Sequence, residues 1–440
     1  MTGLNATYLI LGVVLGLLIM LATAINSRWS MLGLLGMLFM SSIGVATDYR
    51  GAPWIQWLYP LQEQRNTVFA GVALGTFAAG WLLVPPSSVG GAVRALLFLM
   101  LIGIFIGLMR AIHAGVPDSI LSVLLALLTF GAVMLVAGRR IDAWEDLDVL
   151  PRLVALSALL PLAAACVQLF VNPSKAFIGN TNRFVGVGAN PQFMACLSAF
   201  QVLCAIWLIY FGSLAARLLW IVIAITGIAI IAAAGSRTGL LLLMIGVGVI
   251  SIRRFGRIVI VVPAMLLAMV VLNLLVDALG IDIPFARLLS GDNTRQQAWG
   301  ILLGQFVSSP LLGVGTGASE KSENSLLYAA ASYGILAAAL LVAFAAWSLS
   351  RCVRLIRRTN SVPEVHPFVD LFVAMIIMYL VGSIFEGYMI ARVSPMPIFC
   401  GLALLGLAKL DFLLDEWQDS IESDEAHPDM DDVDVASSGR

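Results

Sequence analysis

The 440-residue chain predicts an all-α fold: a polytopic transmembrane helical bundle of about 12–13 spans, with a long extracytoplasmic loop carrying amphipathic helices. Three observations predict it. Hydrophobic residues make up 60% of the chain and charged residues 12%, about half the charged share of a soluble domain. Apolar runs of about 20 residues, the length that crosses a hydrocarbon core, recur throughout. These runs do not alternate apolar and polar residues with period two, which excludes a transmembrane β-barrel.

In chain order, the spans are expected near 8–25, 29–47, 67–84, 93–112, 118–138, 151–170, 190–211, 217–235, 238–252, 257–277, 325–348, 368–390 and 395–411. The run at 238–252 is short and is open to a partly re-entrant reading. Residues 1–411 parse as one membrane domain without a short-period repeat, and 278–324 form its long loop. The acidic stretch 412–440, poor in apolar residues after Trp417, reads as a disordered cytoplasmic tail.

Orientation follows from Lys and Arg in the short loops. "RRFGR" at 253–257 and "RCVRLIRR" at 351–358 should both face the cytoplasm, which places the loop 278–324 outside. Counting back puts 235–238 and 171–189 outside and Arg217, Arg139, Arg140, Arg94 and Arg28 inside. The N-terminus is then outside and the C-terminus inside. The first apolar run lacks a basic region before it, so no cleavable signal peptide is expected.

A net charge of −1 defines no partner, and no nucleic-acid partner is expected. Of five cysteines, Cys166, Cys196, Cys204 and Cys400 lie in apolar runs and Cys352 in a basic stretch, so no disulfide is expected. No Cys/His grouping has metal-ligand spacing, and neither a metal nor another cofactor is expected.

The informative polar residues gather on the outer side. In "GNTNRFVGVGANP", residues 179–191, Asn190 and Pro191 read as a helix cap followed by Pro at the first helical position. Gly186 and Gly188 allow a tight turn before it, and Arg183 stands there against the positive-inside trend. In "AAAGSRTGLLLL" Ser236 caps the next span and places Arg237 in its first turn. In "SGDNTRQQAWGILLGQF" Asn293 and Gln296 have capping-box spacing. Trp299, Leu302, Leu303 and Phe306 recur at helical spacing, as in an amphipathic helix lying on the outer surface. Arg295 falls in its first turn.

A cation in a first turn opposes the helix dipole by about 0.3–1 kcal/mol. A phosphate would reverse that penalty, because unpaired N–H groups and a guanidinium fork both bind it. The alternative is that each Arg pairs with a carboxylate or snorkels to headgroups. Glu323 and Asn324 open the span at 325, where the plain reading is a cap with a glutamate in the first turn. Beside a phosphate site, the same carboxylate is placed to accept a proton from an attacking hydroxyl. Glu386, in "GSIFEGYM", is a second carboxylate near an outer end, and an acid among apolar residues is a functional candidate by default. Arg110 and His113 also stand at an outer end. "GVGTG" at 313–317 follows no strand and lies outside, so it reads as a turn rather than a nucleotide loop.

From Arg183 to Leu340 the motifs "NRFVGVGANPQFMA", "GSRTGLLLL", "TRQQAW", "SPLLGVGTG" and "ENSLLYAAASYGILAA" occur in this order. The ordered set resembles the O-antigen ligase and polymerase superfamily. The resemblance implies an integral glycosyltransferase of the bacterial inner membrane, acting at the periplasmic face without a metal. Its substrate would be an oligosaccharide on undecaprenyl diphosphate, in contact with membrane lipid and with a chain-length regulator as a candidate partner. Arg237 and Arg295 match family arginines thought to hold the diphosphate, with Arg183 beside them. Ligases carry a histidine, assigned as the base, just before the matching Asn; here Glu323 precedes Asn324, and the two are the catalytic candidates, Glu323 to orient or deprotonate the acceptor hydroxyl and Asn324 to hold that carboxylate or a sugar hydroxyl. That difference points toward polymerising O-antigen, capsule or exopolysaccharide repeats rather than ligating them to lipid A–core. A transporter of lipid-linked oligosaccharide and a non-catalytic membrane scaffold are the readings from other classes.

Overall fold

A computed structural model describes residues 6–46, 61, 63–85, 92–178, 183–187, 190–251, 295–315, 323–390 and 393–426. Among these, nine helices are long and apolar enough to cross a membrane, so the chain is an all-α, multi-pass membrane protein. The helices are α1 Ala6–Ile25, α2 Ser30–Ala46, α3 Arg65–Leu82, α4 Ala92–Ala114 and α5 Val116–Ala132, which continues through a π-turn to Arg140. Next come α6 Val149–Leu156, α7 Leu159–Val171, α8 Pro191–Phe211, α9 Arg217–Ala233 and α10 Arg237–Ser251. The last are α11 Arg295–Ser308, α12 Ser325–Tyr333, α13 Ile335–Arg358, α14 His366–Phe385 and α15 Pro395–Ala426. The expected span at 257–277 lies outside the described residues, as do Asn293, Gly188 and 427–440.

Helix α8 is the axis of the bundle: sixteen of its residues are buried, among α6, α9, α10 and α14. With water replaced by lipid, close backbone approach through small residues drives much of the packing. Helices α1 and α3 show this directly. Gly12 and Gly16 face Gly71 and Gly75, where an added Cβ would lie 2.3 Å from Gly12 (at Gly71) and 2.2 Å from Gly16 (at Gly75). At the opposite extreme, Leu9, Ile10, Leu17, Leu18 and Leu21 of α1 are exposed, as lipid-facing residues should be.

The span expected at 151–170 is divided into α6 and α7 by a turn at Ser157 and Ala158, and two further elements differ from expectation. The span expected at 325–348 is two helices, because the chain breaks at Gly334 (φ 82°). A break exposes backbone groups that lipid cannot satisfy, and the turn after α11 satisfies them. Val314 and Gly315 N–H donate to the carbonyls of Ala331 and Ser332 at 2.8 and 3.0 Å, and Ile335 N–H donates to Pro310 at 2.8 Å. Gly313 is what allows this close approach: a Cβ on it would sit 2.3 Å from the Ser332–Tyr333 peptide.

The second difference is the tail. Helix α15 runs past 411 to Ala426, so 412–426 are helical where disorder was expected. Ion pairs and a hydrogen bond support its first part, as far as Gln418. Arg358 donates to Asp411 at 2.8 Å, to Gln418 at 2.8 Å and to Asp415, and Arg351 lies 3.5 Å from Asp411. These contacts neutralise the acids on the α15 face that meets α13.

The helix ends sort the charges by side. Arg139 of the α5 extension donates to the carbonyls of Gly80 and Trp81 at the end of α3, which puts two expected inner ends together. A two-strand ribbon, β1 Phe177–Ile178 with β2 Arg183–Phe184, lies at the other end between α7 and α8, with Ile178 paired to Arg183.

Candidate functional site

The three outer stretches and the polar knot at 323–325 meet at one end of the bundle. Arg183, on β2 and buried, donates its Nε–H to the carbonyl of Ala234 at 2.8 Å. That ties the first stretch to the C-cap of α9. The chain then turns at Gly235 (φ 57°), and the Ser236 hydroxyl accepts from Gly239 N–H at 3.2 Å, capping α10 as expected. Asn190 caps α8 in the same manner, accepting from Gln192 N–H at 2.8 Å ahead of Pro191.

Arg237 is in the first turn of α10, as read from the sequence, and its side chain is exposed. Its neighbour Thr238 is buried and is the residue that meets the third stretch. Arg295, the first residue of α11, donates from Nη2 to Thr238 Oγ1 at 2.8 Å. The same nitrogen lies 3.5 Å from Glu386 Oε1, and the guanidinium stacks 5.0 Å above the Phe385 ring. On α11 Ala298 and Leu302 are buried, whereas Leu303 and Val307 are exposed, so the helix is two-faced.

Glu386 stands where α14 unwinds, just beyond the last residue of the 363–385 span. The buried Ser325 hydroxyl donates to its carbonyl at 2.6 Å and accepts from Met389 N–H at 3.2 Å. The start of α12 therefore holds the end of α14. Asn324 is the N-cap of α12, its side chain accepting from Leu327 N–H at 2.9 Å. This corrects the placement of Glu323: it precedes the cap, rather than sitting in the first turn where the dipole would favour it. Its Oε2 is buried and has no hydrogen-bond partner among the described residues.

Two carboxylates and two guanidiniums thus converge. Burial is the main reason that the Glu386 carboxyl is pushed up to about 7. Arg295 and Arg183 oppose the shift, and the charge of Glu323 adds to it. Arg295 lies 3.5 Å from the carboxylate, longer than the about 2.7–2.9 Å of a tight guanidinium–carboxylate bond.

Arg110 and His113 do not join this cluster through any contact among the described residues. His113 Nε2 lies 3.0 Å from the Leu312 carbonyl, and its ring packs against Gly315 and Tyr333, so it braces the turn after α11. Arg110 is 3.8 Å from Asp118 and lines a narrow cavity of about 70 Å³ with Tyr379, Met389 and Ser394. Among the described residues no three His, Cys, Asp or Glu side chains are grouped to hold a metal ion.

Sequence reasoning missed Thr238, Ser325 and Phe385. Each directly adjoins a residue it named, and none carries a charge that would have marked it. No protein-family model and no curated protein matches the chain.

Proposed function

We propose that the protein polymerises lipid-linked oligosaccharide repeats, of O-antigen, capsule or exopolysaccharide type, at the periplasmic face of a bacterial inner membrane. The observation that carries the reading is the convergence of Arg183 and Arg295 with Glu323 and Glu386 at one end of the bundle. The order of motifs from Arg183 to Leu340, with Glu323 where ligases have histidine, supports a polymerase over a ligase.

In this reading an acceptor hydroxyl attacks the anomeric carbon of a sugar held on undecaprenyl diphosphate. The new C–O bond forms as the bond to the diphosphate breaks, and the electron pair leaves with undecaprenyl diphosphate. Arg295 and Arg183, with Arg237 at the exposed rim, neutralise the departing charge. Glu323 takes the hydroxyl proton on its unpartnered Oε2, and Asn324 fixes the backbone beside it. Attack from the face opposite the diphosphate would invert the anomeric centre.

One observation favours a transporter: a helix broken at Gly334 is the kind of element that forms ion and substrate sites in carriers. Its freed carbonyls at Ala331 and Ser332 are engaged by Val314 and Gly315, however, which argues against an ion site there.

The test is the pool of lipid-linked glycans in cells lacking the protein. Single repeats left on the carrier support polymerisation. Long chains left on the carrier identify a ligase, and repeats confined to the cytoplasmic leaflet identify a transporter; either would overturn the proposal.

A further inference from the structure

At the opposite end of the bundle from Arg295, the end that the arginine distribution assigns to the cytoplasm, there is an open cavity of about 630 Å³. It lies where the segments beginning at Trp144 and Pro363 meet the segments ending at Phe211 and Asp419. Trp144, Phe211, Phe368 and Trp417 wall it, and Trp207, 1% exposed, lines it from the core side. The Trp207 ring centre is 5.1 Å from those of both Phe211 and Phe368. Its indole N–H donates to the Pro367 carbonyl at 2.8 Å, so this buried ring backs the aromatic wall and offers a ligand no donor.

Acidic groups complete the lining. Glu145, Asp148 and Glu364 all border the cavity, and none of its lining residues is cationic. Asp148 is paired with Arg152. Glu145 and Glu364 are exposed, and neither forms an ion pair among the described residues.

We propose that this cavity binds an organic ammonium group. The faces of Trp and Phe attract a cation through the ring quadrupole, most strongly for Trp. Carboxylates at the rim add attraction and repel an anion. An uncharged apolar ligand would account for the rings but not for Glu145 and Glu364. A bare metal ion would need clustered oxygen ligands and would leave most of the cavity empty, since pockets of about 300–1,000 Å³ hold molecules of small-ligand size.

The position favours a lipid as the source. Phe211 and Trp417 are 38% and 42% exposed at the ends of two spans, the level where aromatic rings meet headgroups. A zwitterionic phospholipid can place its ammonium among the rings while its acyl chains follow the apolar helix surface below. A soluble amine offers the same ammonium without the chains.

The experiment uses the full chain in micelles doped with equal phosphatidylethanolamine and phosphatidylglycerol, with bound lipid counted by native mass spectrometry. Wild type should retain phosphatidylethanolamine preferentially. Trp417→Ala with Glu364→Gln should lower that retention at least fivefold and leave phosphatidylglycerol retention unchanged. Glu364→Gln alone, an exposed change, should fold as wild type and lose part of the preference. Soluble phosphoethanolamine is then titrated without the lipid. A saturable change in tryptophan fluorescence, absent in Trp417→Ala, supports the site with a soluble amine as its source. Equal retention of both lipids with no response to phosphoethanolamine overturns the proposal, as does a preference that both variants keep. Binding of a Lys-rich peptide alone, with neither lipid nor soluble amine bound, also overturns it and would make the cavity a protein-docking site.

Discussion

The guanidinium of Arg295 lies 3.5 Å from the carboxylate of Glu386, 91 residues away in the chain, while the same nitrogen donates to Thr238 at 2.8 Å. The shorter bond goes to the neutral hydroxyl. Arg295 is thus oriented by Thr238, and its charge is shared with a carboxyl that ionises reluctantly. An anion arriving between Arg295 and Arg183 would find both guanidiniums already placed, so little reorganisation opposes binding.

If the cluster carries out the proposed transfer, removing that charge should cost rate. Arg295→Ala is expected to lower the transfer rate by about 100- to 1,000-fold, the scale for losing one preorganised stabiliser of developing charge. Arg295→Lys should recover part of it, because a lysine keeps the charge but not the planar fork. Initial rates on the lipid-linked donor measure both.

Glu386 gives the site a pH dependence whose sign follows from its environment. Its carboxyl is raised from 4.5 to about 7, so it is mostly neutral at pH 6 and ionised at pH 8. With a diphosphate bound there as proposed, ionisation would add a negative charge beside it, so the KM for donor should rise with pH by roughly five- to tenfold, about 1–1.4 kcal/mol. Glu386→Gln should hold KM near its low-pH value across this range.

The same shift has a consequence for stability. The folded state binds the proton more tightly than the unfolded one, so the stabilising contribution is fully present below pH 4.5 and is lost as pH rises through about 7. Glu386→Gln is accordingly expected to raise Tm at pH 8 relative to wild type, and to do so less at pH 5. Thermal unfolding at the two values checks it.

The break between α12 and α13 should be intolerant of any side chain. Gly334 has φ 82°, and a Cβ there would lie 2.0 Å from the Leu311 carbonyl oxygen. Gly334→Ala is expected to cost more than about 1–3 kcal/mol, the range for left-handed strain alone, because contact with backbone adds to it. Lower Tm and poor yield of folded protein in detergent would report this.

Much of this architecture is legible in the chain because lipid imposes simple rules. Span length follows from bilayer thickness, and the caps Asn190 and Ser236 announce themselves by residue type just before apolar runs. Arg183 and Arg295 stand out because they run against the positive-inside trend, and Glu323 and Glu386 because they border apolar runs on the same outer side. What sets them in place is not legible. The break at Gly334 is satisfied by Pro310, Val314 and Gly315, and Glu386 is held by Ser325; both are long-range pairings without local periodicity. The helical continuation to Ala426 was hidden for a similar reason. An acidic, polar segment has no core of its own, but Arg351 and Arg358 on α13 supply partners for Asp411 and Asp415.

Asn324 separates a structural role from a chemical one. As N-cap of α12 it should be worth about 1 kcal/mol, so Asn324→Ala lowers Tm modestly and Asn324→Asp restores it. If Asn324 also contacts a sugar hydroxyl, activity should fall in both variants, since a carboxylate cannot donate as the amide does. Comparing Tm with initial rate for the pair decides between the two.

The most direct measurement of the central claim is the length distribution of surface polysaccharide made by cells whose only copy of the protein is Arg295→Ala or Glu323→Gln. Membrane levels of each variant are matched to wild type. The account expects both to accumulate single repeats on the lipid carrier and to lose long chains. Chains of unchanged length in both variants would contradict it and remove this end of the bundle from consideration as the site of glycosyl transfer.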